Sequence, residues 1–131
     1  MDELESRLKL IADELEFEGD WNDRYRLLVA WGEQAVPLPE NERAAEDEVP
    51  GCSSPLWLKV ERADGLRVRS ASTGLLPRAL ASLVCRLFDG LEHLPETLPP
   101  IVETLDLRPH LSPTRVFTFE RMLERVKERG R

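Results

Sequence analysis

Covalent chemistry in this chain would have to start from its two cysteines, and their settings differ. Cys52 stands in Val49-Pro50-Gly51-Cys52-Ser53-Ser54-Pro55, a run of turn-forming residues that leads into an apolar segment. Gly51 lets the backbone turn sharply just before the thiol, and Ser53 and Ser54 set hydroxyls beside it. Cys85 stands between Val84 and Arg86 in an apolar helical stripe, where a free cysteine behaves as a small core residue. On local pattern alone, Cys52 reads either as a functional thiol or as an incidental turn cysteine.

Other chemistries find little support. The seven glycines form no G-x-G pair and no GK[ST], so a phosphate-cradling loop is absent. HExxH, CxxC and GxSxG are absent as well. A zinc site from Cys52, Cys85, His93 and His110 has no spacing to support it, and no metal is expected. Hydrolysis through Cys52 would need a base, and neither histidine stands in a recognisable context. Glu40, Glu42, Glu46, Asp47 and Glu48 precede the cysteine and oppose negative charge on its sulfur. Leu56-Trp57-Leu58 offers further shelter, so the thiol is expected to stay quiet until it docks on a partner.

The elements that must position these residues can be read in order. Leu4, Leu8, Ile11 and Leu15 fall on one face of an N-terminal helix over 1–18, with Asp2 and Glu5 as a capping-box-like start. Asp20 caps a second helix with Trp21, Tyr25, Leu28 and Trp31 on its inner face. Residues 34–50 read as a solvated acidic loop broken by Pro37, Pro39 and Pro50. Leu56, Leu58 and Val60 alternate with Trp57, Lys59 and Glu61, the period of a strand with one buried face. A three-residue turn, Ala63-Asp64-Gly65 with Gly65 left-handed, would set Val60 against Val68 and Glu61 against Arg67. Leu80, Leu83, Val84, Leu87, Phe88 and Leu91 form a third helical stripe, with Pro77 tolerated in its first turn. A short helix falls within 95–107. Ser112-Pro113 starts a last helix with Val116, Phe119, Leu123 and Val126 inside, and Lys127 and Arg129 suited to its C-terminal dipole. The order predicts a single α+β domain over 1–131 with a small antiparallel sheet.

Bulk properties narrow the partners. The 131 residues are 41% apolar and 33% charged, the composition of a globular domain that needs no disulfide. A net charge of −7 disfavours nucleic acid. Residues 1–50 carry 15 acids and 5 bases, against 10 acids and 13 bases in 51–131. That acidic first third reads as a surface for a basic protein partner or, more simply, as solvation. The longest uncharged run, Val49 to Leu58, is ten residues, too short for a bilayer, and the acidic start lacks a signal peptide's basic region. A cytoplasmic location, with both thiols reduced, is the expectation.

At Val49-x-Gly51-Cys52-x-Ser54-x-Leu56-Trp57-Leu58 the chain resembles the SufE family, whose signature is a Gly-Cys-x-Ser-x-Val-Trp segment entering a strand. The likeness extends to Trp21, Arg24-Tyr25 and Gly32 in the second helix, to Arg43 before the cysteine, and to Leu87-Phe88-Asp89. Leu111-Ser112-Pro113-Thr114-Arg115 resembles the family's Leu-[Ser/Thr]-Pro-x-Arg element before the last helix. In all, the resemblance covers roughly residues 20–128 in order.

The resemblance implies a fold of the IscU type, with a small curved antiparallel sheet packed against helices. It implies that Cys52 attacks the terminal sulfur of a persulfide on a SufS-like cysteine desulfurase and hands the sulfur to an iron–sulfur scaffold complex. Gly51, Ser54 and Trp57 would support the Cys52 loop. Arg43 and Arg115 are candidates for partner contact or, equally, for ion pairs that hold the fold. No resident cofactor is implied, since sulfur rides covalently on Cys52 and pyridoxal phosphate belongs to the desulfurase. A monomer and a homodimer both remain open. A quiet thiol suits such a carrier, because an exposed persulfide is lost to stray thiols or oxidation. The chain departs from the family at Ser53, often Gln, at an inserted Pro55, at Thr73, often acidic, and at Thr118, usually Gly. Two other readings are a non-catalytic adaptor that modulates a desulfurase, and a redox sensor acting through sulfenic acid on Cys52.

Overall fold

The structure, a computed structural model, describes residues 2–131. Five helices surround one β-hairpin: α1 (Glu3–Glu18), α2 (Trp21–Gln34), β1 (Leu56–Ala63), β2 (Gly65–Ser72), α3 (Leu75–Phe88), α4 (Ile101–Thr104) and α5 (Pro113–Arg129). The α+β architecture is as the sequence predicts. Among the described residues, no helix is long and apolar enough to cross a membrane.

Three helix starts follow from side-chain caps. The carboxylates of Asp2 and Asp20 and the hydroxyl of Ser112 accept from Glu5 N, Asp23 N and Arg115 N at 2.8, 3.0 and 3.3 Å. Each satisfies a donor that the first helical turn leaves orphaned. Pro113 fits the first turn of α5, where its missing N–H costs nothing.

The hairpin has the three-residue-turn register. Val60 faces Val68, Glu61 faces Arg67, and Ala63 faces Gly65 across Asp64. Gly65 has φ +84°, and a Cβ there would lie 3.1 Å from Leu91 O, so conformation and space both select glycine. Lys59 lies opposite Arg69, a like-charge pair that would repel. Glu61 reaches both cations, at 3.5 and 3.9 Å, and Glu42 takes Arg69 at 2.9 Å.

Both hairpin edges carry contacts, on β1 only at its start. On β2, Leu66 N and O bond to Leu91 O and Gly90 N, Ser70 O accepts from Leu38 N, and Val68 N donates to the Asp89 carboxylate. On β1, Val49 N donates to Leu56 O and Glu48 bridges to Trp57. The cover on β2 and at the start of β1 blunts both edges as templates for another strand.

Helix α3 forms the centre, with Leu80, Leu83, Leu87 and Phe88 fully buried between α2, α5 and the hairpin. Helices α2 and α3 meet at Gly32, where a Cβ would lie 3.0 Å from Ala79 Cα. Leu28 and Trp31 are buried there as expected, but Tyr25 is exposed, two turns before the Gly32 contact. In α5 the fully buried positions include Met122, whereas Leu123 is only half-buried.

The segment over 34–50 is largely exposed, as its acids suggested, with Glu40, Glu46 and Glu48 open to solvent, but it is pinned at Leu38, Asp47 and Val49. It folds into 3-10 turns at Glu40–Glu42 and Ala45–Asp47, and Asp47 is buried. Arg129 stands in the last turn of α5, as expected, and its Nη1 also meets Asp47 Oδ1 at 2.9 Å, so it serves a distant carboxylate as well as the dipole of its own helix. Charges from α5, far along the chain, hold this segment down.

Candidate functional site

The Cys52 loop is a closed structure. The Val49 N to Leu56 O bond, 2.7 Å, ties its two stems together, leaving 50–55 as the loop proper. Gly51 turns the chain with φ +87°, and nothing lies within 4 Å of where its Cβ would be. The glycine is needed for conformation, not for space. On the far stem, Ser72 Oγ donates to Pro55 O at 2.6 Å and accepts from Gly74 N at 3.2 Å. Ser54 packs on Gly74 so closely that a Cβ there would lie 2.7 Å from Ser54 Oγ. The inserted Pro55 therefore contributes a carbonyl anchor, and Ser54 seats the loop at the start of α3.

Cys52 is a free, half-buried thiol. Together with Gly51 and Ser53 it lines a hollow of about 450 Å³ whose opposite wall is the first half of α5: Ser112, Thr114, Arg115 and Thr118. Arg115 is thus brought to the cysteine from more than sixty residues away in sequence. No carboxylate or carbonyl holds its guanidinium among the described residues. The buried Thr118 turns its hydroxyl back to Thr114 O at 3.0 Å, so it adds volume to the wall without adding a free donor.

The other candidates lie elsewhere. Trp57 is directed away from the buried Leu56 and Leu58, and the Arg43 guanidinium covers it at 5.4 Å. Arg43 Nε also donates to Leu38 O at 2.9 Å. Arg43 and Trp57 brace the segment over the outer face of β1, and neither lines the hollow. Cys52 packs against the core cluster that includes Leu56 and Leu58, while the hollow beside it is walled by α5. The preceding acids do not line the hollow either, since Glu42 and Asp47 are taken by Arg69 and Arg129. Among the described residues, no three His, Cys, Asp or Glu side chains gather as a metal site would need.

Cys85 has the core setting its stripe predicted. Its Sγ lies 3.6 Å from Ser70 Oγ. Burial pushes its thiol up to about 11, with Asp89 adding to the rise and the Ser70 hydroxyl opposing it. Few such thiols are ionised near neutral pH, and the thiolate is the nucleophile.

The sequence reading singled out Arg115 and Ser54 but not the rest of the far wall, nor the Ser72 and Arg125 anchors of the loop. A signal for the α5 positions does exist: Arg115, Thr118, Met122, Arg125 and Arg129 recur at spacings of three and four, one face of α5. That face is turned to the Cys52 loop and its stem.

Comparison with known proteins shows the family and the fold. An uncharacterized SufE-like protein of Rhizobium meliloti is 31% identical, over 92% of this chain and 91% of its own length. Another, from Rhizobium etli, is 26% identical over 95% of this chain and 89% of its length. The solution structure of a hypothetical protein from Thermus thermophilus has the same fold, with a TM-score of 0.73 at 18% identity over 95% of this chain and 90% of that one. The family model of the SufE, Fe–S metabolism associated domain matches residues 9–130, and the chain belongs to that family.

Proposed function

We propose that this chain is a cytoplasmic sulfur acceptor and carrier. Cys52 takes persulfide sulfur from a SufS-like cysteine desulfurase and delivers it to an iron–sulfur scaffold complex. One observation carries the reading: the signature cysteine is half-buried on a pinned loop, in a hollow shared with Arg115, whose guanidinium is unheld among the described residues.

The chemistry is thiol–persulfide exchange. The Cys52 thiolate attacks the outer sulfur of the donor persulfide, a new sulfur–sulfur bond forms on Cys52, and the bond to the donor cysteine breaks. The donor leaves as a thiolate and takes up the proton that Cys52 gave up, so no external oxidant or reductant is consumed. Arg115 and the first turn of α5 favour negative charge in the hollow, first on the thiolate and then on the bound perthiolate. Partial burial limits access by stray thiols. The chain holds no cofactor in this scheme, and pyridoxal phosphate stays with the desulfurase.

Intact-mass measurement after incubation with a cysteine desulfurase and cysteine tests the reading. The expected result is an adduct of one sulfur atom that maps to Cys52 and vanishes in Cys52→Ser. Desulfurase stimulation that survives Cys52→Ser would point to an adaptor instead. Arg115→Gln should slow sulfur uptake roughly tenfold, the worth of one charge-assisted contact.

A further inference from the structure

Arg125 holds both stems of the Cys52 loop with one side chain. Its Nη1 donates to Asp47 O at 2.6 Å and to Leu58 O at 3.3 Å, and its Nη2 donates to Glu48 O at 3.1 Å. Asp47 and Glu48 end the segment before the loop, and Leu58 lies just beyond it on β1. Between them sits the Val49–Leu56 bond that closes the loop. Arg129 grips the incoming stem again through the Asp47 carboxylate and Glu46 O, at 2.9 and 2.8 Å. Arg125 belongs to the same face of α5 as Arg115 and Thr118, which wall the Cys52 hollow. Ten residues, about 15 Å of helix, separate Arg115 from Arg125. One rigid element therefore both walls the thiol and fixes the two ends of the loop that carries it.

The chemistry of the clamp calls for arginine. Its planar fork offers five donors, enough for three carbonyls on two strands at once, and it stays protonated. Burial and the neighbouring Arg129 push the Arg125 guanidinium below its ordinary value, with Asp47 opposing. A charge placed there at such a cost, without a carboxylate hydrogen-bonded to it among the described residues, serves the backbone carbonyls of the two stems, with those of Asp47 and Leu58 part-buried and that of Glu48 exposed.

We propose that Arg125 is the positioning residue of the Cys52 loop: it fixes the thiol against the first half of α5 and thereby sets the rate of sulfur uptake, without contributing to the affinity for the sulfur donor. The rate arm of this inference rests on the sulfur-acceptor reading above, but the positioning arm does not.

The test compares Arg125→Gln, Arg125→Lys and a surface control on the same helix, Lys127→Gln. Three quantities are read: amide exchange at Val49, alkylation of Cys52 by iodoacetamide, and single-turnover uptake from a persulfidated cysteine desulfurase. In Arg125→Gln, exchange at Val49 should rise about tenfold and Cys52 alkylation several-fold, in line with losing hydrogen bonds from a charged donor. The saturating uptake rate should fall about tenfold, while the half-saturating donor concentration stays within about twofold. Arg125→Lys, which keeps the charge but not the fork, should fall between, and Lys127→Gln should match wild type. Unchanged exchange and alkylation in a folded Arg125→Gln protein would overturn the proposal. So would a loss of uptake confined to the half-saturating concentration. If Arg125→Gln does not fold, Arg125→Lys decides on the same readouts. If wild type takes up no sulfur, the functional reading fails, while exchange and alkylation still decide the positioning.

Discussion

At the scale of single residues, both thiols are free and partly exposed, but they sit in different surroundings. Cys52 shares its hollow with Arg115 and the start of a long helix, whereas Cys85 faces Ser70 and has Asp89 nearby. That difference gives a pH test. The Cys85 thiol has an ordinary value of 9.0 and is held at about 11 in the folded protein, chiefly by burial. The folded state thus keeps this proton when the unfolded chain has released it. Its contribution to stability is complete below about 9.0 and is lost as pH rises toward about 11, with a slope of roughly 1.4 kcal/mol per pH unit. Urea midpoints measured across that window should therefore fall more steeply for wild type than for Cys85→Ala. The comparison rests on slopes, because the alanine also leaves a cavity that lowers stability at every pH. Parallel slopes would mean that Cys85 titrates as an exposed thiol. Iodoacetamide at neutral pH should label Cys52 and spare Cys85.

At the scale of elements, most of what local pattern can encode was legible. The hairpin register followed from the hydrophobic alternation and the Glu61–Arg67 pairing, and the caps at Asp2, Asp20 and Ser112 followed from residue type. What local pattern cannot encode is a partner far along the chain. The carbonyls gripped by Arg125 lie 78, 77 and 67 residues away, so its role was invisible. Arg43 could be singled out by its place before the cysteine, but not as the cover of Trp57. In the site, Cys52 and Arg115 were legible through their motifs, but Ser112, Thr114 and Thr118 became site residues only when α5 crossed the loop. The α2–α3 contact gives the prediction at this scale. A Cβ at Gly32 would lie 3.0 Å from both Cα and N of Ala79, which are backbone atoms that can move only if the helices separate. Overpacking of this kind costs about 1 to 3 kcal/mol, and the better helix propensity of alanine offsets about 1 kcal/mol. Gly32→Ala should therefore lower stability by roughly 1 kcal/mol net in urea unfolding. An unchanged or raised midpoint would show that the two helices part freely.

Across the whole molecule, the uneven charge of the sequence is partly consumed inside the fold. The acidic first third carries a net −10 and the remainder a net +3, and the structure joins the two by Glu42–Arg69 and Asp47–Arg129. Arg7 makes the reverse link, donating to Leu87 O and Asp89 O at the end of α3. Of these long-range contacts only Asp47–Arg129 holds a stem of the Cys52 loop, whereas pairs such as Lys9–Asp13 lie within one helix face and are open to solvent. Their energetic weights should differ accordingly. The Asp47 side chain is 8% exposed and Arg129 36%, against 56% and 62% for Asp13 and Lys9. An exposed pair contributes about 0 to 0.5 kcal/mol, and a desolvated one more, because removing one partner strands the other. With Arg129 still a third exposed, water offsets part of that loss. Asp47→Asn is therefore expected to lower stability by about 1 to 2 kcal/mol, and Asp13→Asn by less than about 0.5 kcal/mol. Added salt should shrink the small effect more completely than the large one, since screening acts most strongly on exposed charge. Amide exchange at Val49 should also rise in Asp47→Asn and stay at its wild-type value in Asp13→Asn, because only Asp47 belongs to the stem that Arg125 and Arg129 hold. Equal effects of the two substitutions on stability and on exchange would mean that the first third is held by its apolar contacts alone.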